Sequence, residues 1–111
     1  MTVAVYVIID ISIRDQATKA AYAQYVEKVR PIVEKHGGRY LARGGKITPV
    51  AGDWRPERII LIEFPSADHV KRWWNSPEYR AIAGLREQST QAKAIIVEGC
   101  ETETPLSGTM P

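Results

Sequence analysis

Cysteine and histidine are scarce in this chain, and their scarcity limits its chemistry. The 111 residues include one cysteine and two histidines. Cys100 has no internal partner for a disulfide, as expected of a protein from a reducing compartment. Neither His36 nor His69 has a second histidine or a cysteine at the spacing of metal ligands, so we predict no metal site. The sequence also lacks a nucleotide fingerprint and a phosphate loop, and we predict no cofactor.

Long apolar runs and a strong charge of one sign are missing as well. No segment approaches the roughly 20 apolar residues of a membrane span, and no signal-peptide pattern precedes the first predicted strand. We therefore expect a cytoplasmic protein with no membrane partner. The net charge of +2 is too small to indicate nucleic-acid binding. The length is typical of one domain, expected over residues 1–99, followed by a polar tail over residues 100–111.

Four strand-length segments are present, and two of them are apolar on both faces. Residues 3–11 and 58–64 alternate little between apolar and polar side chains, which is typical of central strands that are covered on both sides. Residues 39–45 and 93–98 are more polar and suit the edges of a sheet. The central strands therefore require two layers of cover.

The first helix pattern follows the first strand. Tyr22, Tyr25, Val29 and Val33 fall on one side of a helix at 100° per residue. Asp15 suits the N-terminal cap of this segment, and the Gly-Gly pair at residues 37–38 suits its end.

The second helix pattern is interrupted. Ser66 suits a cap, and Val70, Trp73 and Trp74 are expected on the inner face of the helix. The Ser-Pro pair at residues 76–77 predicts that the helix then starts again, so this segment is best described as two pieces.

Strand, helix and strand thus occur twice in succession. This order predicts an α+β fold of the ferredoxin-like split βαβ type: a four-stranded antiparallel sheet of order 4-1-3-2 with the helices on one face. The alternative is a hairpin-linked sheet with helices on opposite faces. In the ferredoxin-like arrangement the helices supply only one of the two covers, so we predict a homodimer formed through the open face of the sheet.

Several motifs resemble a known family. They are YVEKVRP at residues 25–31, GGRYLARGG at 37–45, GDWRPER at 52–58, EFPS at 63–66 and WWNSPEYR at 73–80. Together they resemble the family called domain of unknown function 1330. The resemblance implies the dimeric α/β-barrel superfamily, in which two ferredoxin-like sheets pack face to face. Because that superfamily includes cofactor-free monooxygenases, muconolactone isomerases and haem-dependent enzymes, the resemblance implies a shape and not one reaction.

His36 and Glu63 are the candidate catalytic residues. His36, at the end of the first helix, is a candidate general base, although a cation near the C-terminal end of a helix dipole suits the same position. Glu63 lies on a central strand among apolar side chains, where a charge needs a partner. Arg43 on the neighbouring strand, a ligand or the second protomer could supply that partner.

Tyr6, Arg39, Arg43 and Trp54 are the candidate ligand-binding residues. Residues 39–58 carry five basic and two acidic side chains, which favours a small anionic ligand such as a carboxylate, or else protects an edge strand from aggregation. Strand alternation predicts that Arg39 and Arg43 share a face. Tyr6 alternates with Val5 and Val7, so it either lines a pocket or packs in the interface, and Trp54 either closes a cavity or anchors the partner chain.

Two functions fit these features. The first is a cofactor-independent enzyme, of the oxygenase or isomerase kind, acting on a small aromatic or carboxylated metabolite. The second is a dimeric module that binds a small ligand without catalysis, or that has only a structural role. An enzyme requires a cavity with convergent polar groups, one of them with a shifted pKa, whereas a binding module does not require an acid or base within reach of the ligand.

Overall fold

Four strands and three helices follow one another in the predicted order. The computed structural model describes residues 3–100. Its elements are β1 (Val5–Ile13), α1 (Lys19–Lys35), β2 (Arg39–Arg43), β3 (Arg58–Phe64), α2 (Ala67–Trp74), α3 (Pro77–Ser89) and β4 (Thr90–Glu98), with a 3-10 turn (Gln16–Thr18) before α1. The predicted tail lies outside the described residues from position 101 onward. No helix among residues 3–100 is long and apolar enough to cross a membrane.

The strands form one antiparallel sheet of order β2-β3-β1-β4. This is the predicted order 4-1-3-2 read from the opposite edge, and it confirms the ferredoxin-like α+β fold. β1 pairs with β3 along one side and with β4 along the other. The two segments that are apolar on both faces are therefore the two central strands, as predicted.

Serine caps divide the second helical segment into α2 and α3. The Ser66 hydroxyl accepts a hydrogen bond from the His69 amide at 3.2 Å, and the Ser76 hydroxyl accepts one from the Tyr79 amide at 3.2 Å. Pro77 is the first residue of α3, where its missing N–H removes no helical hydrogen bond. The predicted restart of the helix is thus confirmed.

The core lies between the helices and one face of the sheet. Its strand residues are Val5, Val7, Ile11, Ile60, Ile62 and Phe64, and its helix residues include Tyr22, Tyr25, Val29, Val33, Val70, Trp73, Tyr79 and Ile82. Residues on the sheet alternate between this face and the other, because successive strand side chains point to opposite sides. Of the two tryptophans expected on the inner face of the helix, Trp73 belongs to the closed core and Trp74 lies at its margin. Trp73 is 1% exposed, whereas Trp74 is 36% exposed.

Two glycines join α1 to β2 at close quarters. Gly37 ends the helix at a φ of +90°, which an L side chain rarely adopts. Gly38 is buried, and a Cβ atom there would lie 2.5 Å from Val33 Cγ1 and 2.8 Å from the ring of Phe64. Both contacts are too short for real atoms, so the packing of α1 on β3 requires glycine at this position.

The other face of the sheet carries an apolar strip that no helix among residues 3–100 covers. Ile8 is paired with Leu61 on β3 and with Ile95 on β4, so the three side chains lie side by side on this face. Ile95 is 59% exposed and Val97 is 40% exposed. Large exposed apolar patches on a folded domain mark a surface that another molecule covers.

Candidate functional site

Three of the predicted site residues meet on the open face of the sheet. Glu63 lies directly opposite Tyr6 of β1 and Arg39 of β2. Arg39 Nη2 donates a hydrogen bond to Glu63 Oε1 at 2.7 Å, and the Tyr6 hydroxyl donates to Glu63 Oε2 at 3.4 Å. The Arg39 side chain is 72% exposed, so water screens the ion pair and its contribution to stability is below about 1 kcal/mol. Arg39 is nevertheless the charged partner that the Glu63 carboxylate was expected to need on this strand.

Trp54 lies over the same face. It belongs to the loop that joins β2 to β3, and its indole Nε1 donates to Asp10 Oδ2 on β1 at 2.9 Å. Trp54, Asp10 and Ile8 border a cavity of 240 Å³ against β4. The residue is 61% exposed, so much of its surface is open to a further contact.

Arg43 lies on the opposite face from Arg39, and the predicted shared face was wrong. The pairing of β2 with β3 shifts its register between Tyr40 and Ala42, and this bulge at Leu41 inverts the alternation beyond it. Arg43 Nη2 instead donates to the main-chain carbonyl of Val26 in α1 at 2.6 Å. Its guanidinium also lies 4.6 Å from the centre of the Tyr40 ring. Arg39, and not Arg43, is the partner of Glu63.

His36 caps the C-terminal end of α1. Its Nδ1 donates to the carbonyl of Ile32 at 2.9 Å, which satisfies one of the carbonyls left free at a helix end. His36 and Glu63 are not joined by any hydrogen bond among residues 3–100. The catalytic roles of both residues stay predictions.

A cavity between the sheet and α3 contains polar groups that the sequence reasoning missed. Its volume is 300 Å³. The strands contribute an apolar wall, α2 contributes the two tryptophans, and α1 and α3 contribute the polar groups. The lining residues are Ile9, Ile11, Ile60, Ala92 and Ala94 from the strands, Trp73 and Trp74 from α2, Tyr25 from α1, and Tyr79 and Arg86 from α3.

The three polar residues of this cavity form one hydrogen-bonded chain. The hydroxyls of Tyr25 and Tyr79 lie 3.0 Å apart, and Arg86 Nε donates to the Tyr79 hydroxyl at 3.3 Å. Two hydroxyls carry two hydrogens, and only one of them lies between the pair. The other hydroxyl hydrogen is thus available to a ligand. We name Tyr25, Tyr79 and Arg86 the Tyr–Tyr–Arg cluster.

Burial fixes the charge states of this cluster. Desolvation, together with the neighbouring Tyr79, holds the pKa of Tyr25 far above its ordinary value, so the phenol stays protonated and can donate. Burial acts to lower the pKa of Arg86, but the hydrogen-bonded Tyr79 and the nearby Glu87 outweigh it and raise that pKa overall. The cluster therefore combines the Arg86 cation with the protonated Tyr25 hydroxyl, an arrangement that suits an oxyanion.

The sequence contained only a weak signal for this cluster. Tyr25 belongs to the apolar stripe of α1, and a buried tyrosine hydroxyl needs a hydrogen-bond partner. That requirement predicts a polar contact without saying which residue makes it. Tyr79 lies 54 positions further along the chain, so only the packing of α1 against α3 reveals the pair.

Metal-ligating side chains do not gather in the described part of the chain. No group of three histidine, cysteine, aspartate or glutamate side chains between residues 3 and 100 could hold a metal ion. The polar groups around the 300 Å³ cavity are hydroxyl, guanidinium and indole N–H groups, and all three can donate a hydrogen bond to an anion.

These features define a ferredoxin-like α+β protein with an apolar cavity between its sheet and helices. The chain belongs to the family described as Domain of unknown function (DUF1330), whose model matches residues 4–100. The family resemblance noted in the sequence is thereby confirmed. No curated protein matches the chain.

Solved structures share the fold at low sequence identity. A protein of unknown function from Rhodopseudomonas palustris is 17% identical, with a TM-score of 0.73 over 91% of this chain and 85% of the other. A dimeric protein of unknown function with a ferredoxin-like fold from Bacteroides fragilis is 18% identical, with a TM-score of 0.64 over 86% and 96%. SnoaB, a cofactor-independent oxygenase from Streptomyces nogalater, is 10% identical, with a TM-score of 0.62 over 93% and 99%. At these identities the likeness concerns the fold alone.

Proposed function

We propose that this protein is a homodimeric enzyme that acts without a cofactor on a small aromatic or carboxylated metabolite bound in the 300 Å³ cavity. One observation carries the proposal: the Tyr–Tyr–Arg cluster lies in an otherwise apolar wall. Small-molecule sites combine apolar surface with a few convergent polar groups in this way. The cavity volume lies at the lower end of the range of about 300–1,000 Å³ for such sites.

The charge of the cluster selects the kind of substrate. Arg86 supplies a cation and the tyrosine pair supplies a hydroxyl hydrogen, so an oxyanion of the ligand gains two charge-assisted hydrogen bonds. The lining among residues 3–100 includes no carboxylate and no imidazole. The substrate is therefore one that arrives already ionised, such as a carboxylate or an acidic phenol.

The chemical role of the cluster is to stabilise that oxyanion. Arg86 and a tyrosine hydroxyl keep a phenolate or enolate ionised, so that its ring or enol carbon can react as a nucleophile. In isomerisation that carbon takes up a proton. In oxygenation it reduces O2 and forms a carbon-bound peroxide, which takes up a proton and loses water to leave a ketone, so the substrate itself is the reductant. The apolar walls exclude water and strengthen both interactions. The shared fold of SnoaB, a cofactor-independent oxygenase, supports a reaction that needs no bound cofactor.

The open face of the sheet is the proposed homodimer interface. Ile8, Leu61 and Ile95 form an apolar strip there, and the Arg39–Glu63 pair lies on the same face. A second copy would supply the cover that the helices do not give. The ferredoxin-like protein from Bacteroides fragilis is described as dimeric, which supports this assembly.

The second candidate function is binding without catalysis. The absence of a carboxylate or imidazole from the described cavity lining favours it, because a binding module needs no general base. Both candidates share the same ligand and the same cluster. They differ in whether the bound anion is converted.

Calorimetric titration with benzoate and salicylate tests the site. We expect both carboxylates to bind, with affinity that falls at least tenfold in Arg86→Met and by a smaller factor in Tyr79→Phe, since each loses a hydrogen bond to the anion. Tyr22→Phe is the matched control, because the Tyr22 hydroxyl is also buried in the helix layer but does not line the cavity. Equal affinities in the parent and Arg86→Met would refute the assignment.

Oxygen uptake separates the two functions. A panel of phenols that bind is incubated with the protein in air-saturated buffer, and dissolved oxygen is followed with an electrode. Oxygen consumption that depends on Arg86 would establish the enzyme. A phenol that binds, consumes no oxygen and yields no isomerised product would favour the binding module.

A further inference from the structure

The helix side of β4 is an apolar groove and not part of the closed core. On this side Ala92, Ala94 and Ile96 are paired with Ile11, Ile9 and Val7 of β1. Val7 and Ile11 are 4% and 1% exposed, whereas Ile96 is 45% exposed. The helices therefore cover β1 and stop short of the edge strand.

Two cavities share this groove. The first, of 300 Å³, contains the Tyr–Tyr–Arg cluster. The second, of 390 Å³, lies further along β4, against Val7, Val70 and Ile96. Both are lined by Trp73, Trp74 and Ala94, so they meet at the two indoles.

Small side chains keep the groove open. Ala92 and Ala94 occupy the positions of β4 that face the tryptophans, and an alanine fills far less of the gap than the isoleucines of β1. The accessible indole of Trp74, which is 36% exposed, borders the groove and favours planar ligands through stacking.

The two ends of the groove are polar. Arg86 and Tyr79 lie at one end, and Lys71 and Asn75 border the other. Between them the lining is apolar. An occupant that matches this pattern has an anionic group at the Arg86 end and a flat apolar body that extends toward the exposed Lys71.

We propose that the ligand is an elongated, fused-ring aromatic anion that binds along β4, with its oxyanion on the Tyr–Tyr–Arg cluster and its distal rings in the 390 Å³ cavity. This inference rests on the proposed function for the position of the anion. It adds the length of the ligand and a specificity role for Ile96, which borders only the distal cavity.

Calorimetric titration with benzoate, 2-naphthoate and anthracene-2-carboxylate tests the length. We expect each added ring to tighten binding by about tenfold, because it removes further apolar surface from water. In Ile96→Gln we expect anthracene-2-carboxylate to lose about tenfold and benzoate to change by less than about twofold. Leu41→Gln, at an apolar residue of similar exposure (46%) on the other edge strand, is the matched control and should leave all three affinities unchanged.

The outcomes distinguish this inference from the proposed function. If no carboxylate binds, or if the affinity does not depend on Arg86, both the proposed function and this inference are wrong. If benzoate binds through Arg86 but affinity does not rise with ring number, the inference alone is overturned. If Ile96→Gln leaves the affinities unchanged and dissociates the protomers in sedimentation velocity, a second copy occupies the groove, and that too overturns the inference.

Discussion

The hydroxyls of Tyr25 and Tyr79 lie 3.0 Å apart and join helix α1 to helix α3 inside the core. This contact has a consequence for stability that is separate from ligand binding. Both side chains are buried, so the hydrogen bond between them is made away from bulk water. Loss of one hydroxyl leaves the other incompletely satisfied in a medium of low polarity.

Removal of either hydroxyl should destabilise the fold. Tyr25→Phe and Tyr79→Phe should each lower the free energy of unfolding by about 1–2 kcal/mol, and the double variant should cost about 1 kcal/mol less than the sum. Urea denaturation, monitored by circular dichroism, gives the free energy of unfolding of the parent, the two single variants and the double variant. Tyr22→Phe is the control and should be nearly neutral, since its hydroxyl has no partner among the described residues. Strictly additive losses would mean that the two hydroxyls are not coupled.

Alkaline pH should destabilise the protein through its buried phenols. Burial raises the pKa of Tyr40 from 10.0 to about 12, so above pH 10 the unfolded chain releases this proton while the folded chain retains it. The unfolded state then binds fewer protons, and the free energy of unfolding falls as pH rises from about 10 to 12.

Tyr40→Phe isolates that contribution. Its stability should fall less steeply than that of the parent between pH 10 and 12, and the two proteins should show the same slope near pH 8. Chemical denaturation at a series of pH values measures both slopes. A parent slope equal to that of the variant would exclude Tyr40 as the source.

A charge on the open face of the sheet should dissociate the proposed homodimer. Ile8 lies in the centre of the apolar strip, so Ile8→Glu should yield a folded monomer at micromolar concentration, as measured by sedimentation velocity. Val7→Glu places the same charge in the core, where an unpaired carboxylate should instead unfold the chain. Val50→Glu, at a loop residue that is 95% exposed, is the control. A parent chain that sediments as a monomer would remove the basis for this interface.

Two glycines should respond in opposite ways to the same substitution. Gly38→Ala should lower the free energy of unfolding by about 1–3 kcal/mol, because its Cβ would overlap Val33 and Phe64. Gly84, within α3, has open space around the Cβ position, so Gly84→Ala should raise stability by about 0.5–1 kcal/mol through helix propensity. Thermal unfolding of the two variants should therefore shift in opposite directions from the parent.

Apolar patterning and capping residues predicted most of the fold. Residues 58–64 were placed correctly as a central strand because both faces are apolar, and Ser76 marked the helix restart because its side chain caps α3. These signals are local, so they can be read from neighbouring residues alone.

The candidate site was harder to predict because its contacts are not local. Tyr25 was assigned to the core by its helical spacing, and nothing near it in the sequence indicates Tyr79 or Arg86 as partners. Likewise, the sequence of residues 39–45 is typical of a regular strand. The alternation of side chains along a strand does not predict the bulge at Leu41. The predicted ligand-binding set thus lies mainly on the open face, whereas the cavity depends on side chains from six different elements.

The bulge at Leu41 also separates two tasks that one sheet performs. With an extra residue between them, Arg39 contributes to the outward surface and Arg43 ties β2 to α1 on the inward side. In the proposed homodimer, a substitution on the outward surface would therefore act on the interface between the two copies, whereas a substitution on the inward side would act on the contact between β2 and α1.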